Sequence, residues 1–436
     1  MTRPLASVRR WITRRVARRA LTSLDPSRMA HSPAMVPLRR DGLDPVADLG
    51  ERRREAPISR LTRVLGTNVW LVAGYEEARS VLADHHAFSN DIRPLVGKTD
   101  ATGPDAIGGL GSTDAPDHTK LRKILTPEFT MRRLRELEPR ITEIVEEQLD
   151  IVESAGPGAD LVQSYAFPVP FRVICELLGL PQGDRERFRE IGHARFDATA
   201  GIGGLFGAMS DSREFLIDAV ARQRHTPGDG LIGSILQQHG DELTDVELGG
   251  LADGVFTGGF ETSASMLALG AVTLLQHPES YARLRDDSES IDPIIDELLR
   301  YLTVVQVAFP RIARHDMTLH GASVRAGDVV LCSLSGANRD PAFGNDADAF
   351  NPARSPHSHL AFGHGLHRCV GSELGRMELR IALRGLSRRF PDLALAVEPA
   401  ELAFHDLSIV HGIDTLPVTF GPAGSAVVGL ALSARG

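Results

Sequence analysis

Apolar residues recur at helical spacing across 131–155: Met131, Leu134, Leu137, Ile141, Ile144, Val145, Leu149 and Val152. They predict an amphipathic helix, divided near Pro139, whose ring removes a backbone donor. Thr244 with Glu247 three residues on forms a capping box. The helix it opens can run to about Gln276, ahead of Pro278. That is roughly 33 residues, or about 50 Å. Its second half is nearly all apolar, so it should cross the centre of the protein. Gly254, Gly258 and Gly259 nevertheless stand in mid-course, where each glycine costs about 1 kcal/mol relative to alanine. Such a cost is better tolerated where a backbone must approach a ligand. Strand signals are few and short: Trp70–Val72, Thr318–Leu319, Val329–Leu334 and Leu416–Thr419. The Gly- and Ala-rich stretch 196–211 (Ala198, Ala200, Gly201, Gly203, Gly204) reads as a mobile loop. The class is mainly α with small β-sheets.

Composition narrows this picture. The 436 residues are 42% hydrophobic and 24% charged, enough for a large core and incompatible with global disorder. The formal charge of −9 argues against a nucleic-acid partner. Cys175, Cys332 and Cys369 lie too far apart for a disulfide framework or a four-cysteine zinc site, which fits a reducing cytoplasm. No continuous apolar run is long enough to predict a membrane span. Residues 1–40 carry ten Arg and one acid, Asp25. Leu5, Val8, Trp11, Ile12 and Val16 are interleaved there with Arg9, Arg10, Arg14, Arg15, Arg18 and Arg19. Residues 1–30 could make peripheral contact with an anionic membrane, or form a solvated helix on the acidic body. No apolar core and cleavage site mark a secretory signal. The expected organisation is an Arg-rich extension over 1–40, one domain over 41–422 and an apolar tail over 423–436.

The most informative stretch is Phe362-Gly363-His364-Gly365-Leu366-His367-Arg368-Cys369-Val370-Gly371. Two glycines let a backbone wrap tightly, and a cysteine thiolate before a helix gains from free N–H groups. A dinucleotide loop would need glycine where Arg368 stands. Cys369 with His364 and His367 matches no common zinc spacing. A lone cysteine is otherwise an inert core residue. The whole stretch, however, resembles the cysteine-ligand loop of the cytochrome P450 superfamily, FGxGxHxCxG, at every fixed position. The family commonly continues Leu-Ala-Arg, where this chain has Leu374-Gly375-Arg376.

The resemblance extends over about residues 41–420. It implies the haem-thiolate fold, a triangular helical body with a long central helix. It implies haem b (iron protoporphyrin IX), with Cys369 as the axial thiolate on iron and Phe362, Gly363 and Gly371 shaping its loop. Thiolate donation favours O–O cleavage. Gly258-Gly259-Phe260-Glu261-Thr262 resembles the family's oxygen-activation motif, with Gly258 replacing an alanine; Thr262 supplies a hydroxyl and Glu261 a proton-relaying carboxylate. A threonine back-bonded to its own helix is the plain alternative. Glu297 and Arg300 share a helix face, and with Arg354 the resemblance makes them a structural triad beneath the loop. His118, Arg122, Arg311 and His367 are implied as partners of the haem propionates, arginine's fork suiting a carboxylate.

Position within the family also assigns an apolar substrate surface: the loop from Phe88 to Leu110, Phe260, Val304, Val305, Val307, Ile409 and Val410. The expected activity is that of a monooxygenase using O2 to hydroxylate or epoxidise a mostly hydrophobic small molecule, such as a polyketide, macrolide or terpenoid. Peroxide-driven or oxidative-coupling chemistry is the alternative, and a non-catalytic haem sensor or ligand carrier is a reading of another class. No flavin, nicotinamide or iron–sulfur motif is present, so electrons from NAD(P)H should arrive through a ferredoxin and ferredoxin reductase. Lys120, Lys123, Arg132, Arg133 and Arg368 could form their docking patch on an otherwise acidic body. A monomer is expected. Only Lys98, Lys120 and Lys123 are lysines among 48 basic residues, a bias expected of a GC-rich, actinobacterial source.

Overall fold

The computed structural model describes residues 32–64, 66–93, 109–196, 201–355 and 357–421, with backbone alone over 193–196 and 201–210. The Arg-rich stretch 1–30, the tail 423–436 and most of the loop between Phe88 and Leu110 lie outside the described residues.

Strands β1 (Arg40–Asp41) and β2 (Asp44–Pro45) precede α1 (Ala47–Glu55). The hairpin of β3 (Ile58–Val64) and β4 (Thr67–Val72), α2 (Tyr75–Ala83) and β5 (Phe88–Ser89) follow. The helical body is α3 (Asp117–Leu125), α4 (Met131–Ala155), α5 (Pro168–Leu178), α6 (Gln182–Phe196), α7 (Gly201–His225), α8 (Leu231–His239), α9 (Asp245–Gly259), α10 (Glu261–Leu275), α11 (Pro278–Asp286) and α12 (Ile291–Leu302). Strands β6 (Arg311–Ala313), β7 (Met317–Leu319), β8 (Ala322–Val324) and β9 (Val329–Cys332) lead to α13 (Leu334–Ala337), α14 (Ser372–Arg389), β10 (Ala394–Leu395) and β11 (Val418–Thr419).

α10 is the hub. It packs on α5, α11, α12 and α14, and residues 265–274 are buried throughout. α14 lies against α4, α10, α11 and α12. The largest sheet runs β3-β4-β9-β6-β5, parallel only between β4 and β9. It has its own apolar core around Val72, Tyr75, Phe88 and Val330.

Four expectations change. Residues 131–155 form one undivided helix. Pro139 and Arg135, whose carbonyl the ring deprives of its donor, are both exposed, so water can satisfy that carbonyl. Residues 201–211 are helical, not a loop: packing of α7 on α6 and α9 overrides weak local propensity. The long central helix is two helices meeting at Phe260. Together they form an apolar run of 31 residues, long enough to cross a membrane, yet more than half of that run's most apolar window is buried in the protein. Finally, β9 stops at Cys332 because the Ser333 side chain caps α13 by accepting from the Gly336 N–H.

Candidate functional site

One wall comes from the junction of α9 and α10. Phe260 N–H donates to the Phe256 carbonyl and Ala264 N–H to the Phe260 carbonyl, each at 3.0 Å. The Gly258 carbonyl accepts the Thr262 hydroxyl at 2.7 Å. Such back-bonding bends helices, and two adjacent glycines offer little resistance. The hydroxyl proton is thus committed to the helix, while the half-exposed oxygen can still accept a hydrogen bond. Gly254, Gly258 and Thr262 recur every fourth residue on one open face. A Cβ added at Gly258 would meet nothing within 4 Å, whereas at Gly259 it would strike the Ile174 Cδ1 at 2.8 Å. Gly258 therefore belongs to an open groove, and Gly259 to close packing on α5.

Phe260 faces away from that groove. It is fully buried, its ring 4.4 Å from Phe167, 5.6 Å from Phe171 and 5.5 Å from Phe256. It is a core residue and not the expected substrate contact.

The opposite wall is the cysteine loop. Gly363 and Gly365 have φ of 69° and 71°, left-handed values that favour glycine. A Cβ at Gly365 would also stand 2.6 Å from the Leu82 carbonyl oxygen at the end of α2. The Cys369 N–H closes the loop on the Phe362 carbonyl at 2.9 Å. Phe362 carries the Arg376 guanidinium 4.8 Å from its ring centre, and Arg376 is held by Asp296 at 2.8 Å. Cys175 and Cys332 are buried, with thiols pushed up to about 12 by burial. Cys369 alone is exposed. Burial still raises its thiol, opposed by the Gly371 N–H and by Arg122, Arg368 and Arg376. A sulfur that is accessible and yet desolvated lines an interior cavity.

Between these walls lie two histidines and two arginines that have no ion-pair partner among the described residues. His118 is fully buried and neither ring nitrogen has a hydrogen-bond partner. Leaving such groups unpaired costs about 1–3 kcal/mol each. Its ring sits 4.1 Å from that of His367, whose Nδ1 reaches the Leu110 carbonyl at 3.2 Å. Burial, then His118 and Arg311, depress His367 to about 4. Arg122 donates to the Arg368 carbonyl at 2.8 Å. Arg311, 4% exposed, gives one of its donors to the Phe309 carbonyl at 2.8 Å. An orphaned buried imidazole, the buried Arg311 and the half-buried Arg122 fit a group that brings its own carboxylates. With the accessible thiol and the smooth face at Gly258, these residues fit a haem.

Beneath the loop, Arg300 forks onto Glu297 at 2.7 and 2.8 Å and reaches the carbonyls of Asn338, Ala347 and Ala349. Arg354 approaches Glu297 at 3.4 Å, and the Asn351 N–H donates to the same oxygen at 2.9 Å. One buried carboxylate thus ties α12 to the chain ahead of the cysteine loop.

The expected substrate surface divides. Val305 and Val307, linked as isolated bridges to Val410 and Ser333, are half-buried, and Ile409 is 59% exposed. Val304 is buried in the helical core, and Leu110 packs on that core. Phe88 is a correction: on β5 it is buried in the sheet core. One member of the expected docking patch is ion-paired. Arg133 is paired with Glu128 and Glu136, and Lys120 donates to the Glu242 carbonyl at 3.1 Å. Lys123, Arg132 and Arg368 are exposed.

Two residues escaped sequence reasoning. Phe309 is 59% exposed and stands so near Gly111 that a Cβ there would strike its ring. Glu378 on α14 is 3% exposed, with one carboxyl oxygen unpartnered. Burial lifts its pKa to about 8, and the Ser263 hydroxyl, one residue beyond Thr262, pulls the other way. A carboxylate inside the apolar stripe Leu374–Glu378–Ala382 was the available signal.

An accessible loop thiol, a grooved helix and a set of unpaired histidines and arginines together match the arrangement of a haem-thiolate enzyme. The family model described as Cytochrome P450 matches residues 218–395. Cytochrome P450 165B3 of Amycolatopsis orientalis is 38% identical over 402 residues, covering 89% of this chain and 99% of that protein. Cytochrome P450 monooxygenase PikC of Streptomyces venezuelae is 38% identical over 383 residues, 86% and 91% of the two chains. The crystal structure of OxyC, a cytochrome P450 implicated in an oxidative C–C coupling reaction during vancomycin biosynthesis, aligns with a TM-score of 0.79 at 37% identity, covering 87% of this chain and 96% of that one. The chain therefore belongs to the cytochrome P450 family. It has that family's fold and is a haem-thiolate monooxygenase of the actinobacterial natural-product type.

Proposed function

We propose that this enzyme hydroxylates or epoxidises a mostly hydrophobic natural product, within a site bounded by Cys369, the Gly254–Gly258–Thr262 face and Val305, Val307, Ile409 and Val410. The observation that carries the proposal is the accessible Cys369 thiol beside the orphaned His118 and the buried Arg311. Cys369 would hold haem iron, and His118, Arg122, Arg311 and His367 would hold the propionates. When bound, the haem supplies dioxygen activation and transfer of one oxygen atom.

The chain's own residues handle protons and placement. Thr262, its proton committed to Gly258, presents an acceptor to the cavity. Glu261 precedes it as the proton-relaying carboxylate. Glu378 holds a proton at neutral pH beside Ser263, on the buried side of the same helix. The valine and isoleucine side chains orient an apolar substrate and exclude water. Electrons come from NAD(P)H through a ferredoxin and its reductase, docking at Lys123, Arg132 and Arg368, on a cytoplasmic monomer.

The likeness to OxyC favours a second reading, oxidative coupling within a substrate held at the same site. Glu261 and Thr262 favour catalysis over a haem carrier, which has no use for a relay. Spectra of reduced protein with carbon monoxide test the ligand: a strongly red-shifted Soret band is expected, and its absence from haem-loaded protein would overturn the assignment of Cys369. Turnover with reconstituted donors then separates the chemistries. A product gaining one oxygen atom supports monooxygenation; loss of hydrogen without oxygen gain means coupling; electron use without product means a carrier.

A further inference from the structure

We infer that Gln306, locked by Arg40, positions the apolar wall of the substrate cavity, so that the N-terminal segment 38–43 limits the size of molecule the site admits. The inference rests on the haem-thiolate reading above. Residues 304–307 run extended after α12, and alternation turns Gln306 away from its neighbours Val305 and Val307. Gln306 is fully buried. Its side-chain oxygen accepts from Arg40 Nε at 2.8 Å, and its amide nitrogen donates to the carbonyls of Leu38 at 3.0 Å and Ser408 at 2.7 Å. Its backbone N–H donates to the Ile409 carbonyl at 3.0 Å, and its own carbonyl accepts the Leu334 N–H at 2.9 Å. One residue thus joins the N-terminal segment, the strand carrying Val305 and Val307, the start of α13, and the turn carrying Ile409 and Val410.

Arg40 fixes the other end. Its guanidinium also donates to the carbonyls of Leu43 at 3.0 Å, Leu302 at 2.9 Å and Thr303 at 3.0 Å. It therefore neutralises the C-terminus of α12, where a cation is favoured. The chain turns there through Thr303, at φ 40°, which aims residues 304–307 across the site. The opposing turn holds Leu407 at φ 53°, a left-handed value that a leucine disfavours. The bond from Gln306 to the Ser408 carbonyl sits beside that residue. His411 adds parallel ties: its N–H to the Val304 carbonyl at 2.8 Å and its Nε2 to the Gly42 carbonyl at 3.0 Å. An apolar residue at 306 would leave the Arg40 Nε and the carbonyls of Leu38 and Ser408 without these partners, and the wall would shift to find others.

The test uses the full-length, haem-loaded enzyme and two probes that bind haem iron, imidazole and the bulkier 4-phenylimidazole, titrated by the Soret shift. Gln306→Leu keeps the volume and removes the amide. The expected result is a change of tenfold or more in the Kd of 4-phenylimidazole, with that of imidazole within twofold and the reduced carbonyl band intact. Should Gln306→Leu fail to accumulate, Arg40→Lys, which keeps the charge but cannot span four acceptors, goes through the same paired titration. Equal changes for both probes would show general damage and overturn the inference, as would no change for either. A wild-type enzyme without the carbonyl band would instead sink the haem-thiolate reading, and this inference with it.

Discussion

Replacing Glu378 with glutamine should change how stability depends on pH. In the unfolded chain the carboxyl titrates near its ordinary value of 4.5, and in the folded protein near 8. Between those values the folded protein keeps a proton that the unfolded chain has released. Stability must therefore fall as pH rises through that window, and level off above about 8. Each unit is worth about 1.4 kcal/mol, so three units, from pH 5 to 8, amount to about 4 kcal/mol. Glutamine fills the same space and stays neutral throughout. Other titrating groups are shared, so the difference between the two proteins isolates this side chain. Urea unfolding followed by far-UV circular dichroism, at pH 5, 6, 7, 8 and 9, gives that difference directly. The stability of Glu378→Gln relative to wild type should climb steadily with pH and flatten at the top. A difference that does not vary with pH would mean that Glu378 is ionised, or reached by water, in the folded protein. It would also remove its place beside Ser263 as a proton-holding group.

Thr262→Ala should lower product formed per electron consumed and raise peroxide, while Thr262→Ser retains coupling; NADPH, peroxide and product assays decide this, and unchanged coupling would place the acceptor elsewhere. Glu297→Ala leaves the buried Arg300 without its carboxylate, while Arg354 keeps Asp346, a loss of about 3–5 kcal/mol, expected as a lower melting temperature and a smaller haem-to-protein ratio. Lys123→Glu with Arg132→Glu should slow reduction by a ferredoxin and weaken the salt dependence of that rate, leaving the carbonyl band untouched; stopped-flow reduction at several ionic strengths is the check.

The parts of this site legible in the sequence are those whose chemistry is local. The cysteine loop declares itself because Gly363, Gly365, Cys369 and Gly371 fall within nine residues of each other, and the Thr244–Glu247 cap forms as written. The apolar stripe of 131–155 found its helix. What the sequence hid depends on partners distant along the chain. Phe260 sits beside the relay residues but turns toward Phe167 and Phe171, which no local pattern reveals. β3 escaped notice because a register shift between Arg60 and Thr62 breaks its alternation. Phe88 was placed by analogy on a loop, and the antiparallel pairing of β5 with β6 put it under the sheet. Arg133 counted as a free charge until folding brought Glu128 and Glu136 to it.

The rings around Phe260 do more than fill space. From α7 inward, Phe215 stacks on Phe188 of α6 at 4.8 Å, Phe188 meets Phe256 at 4.4 Å, and Phe256 stacks on Phe260 at the helix junction. Close-packed rings cannot be compressed, so they behave as a push-rod. A tilt of α6 or α7 against the body must either slide these rings or turn the junction that carries Glu261 and Thr262. The outer helices and the proton-handling residues are thereby joined through a column of hydrocarbon rings, with the Arg187 guanidinium lying 5.9 Å from the Phe215 ring centre at its outer end.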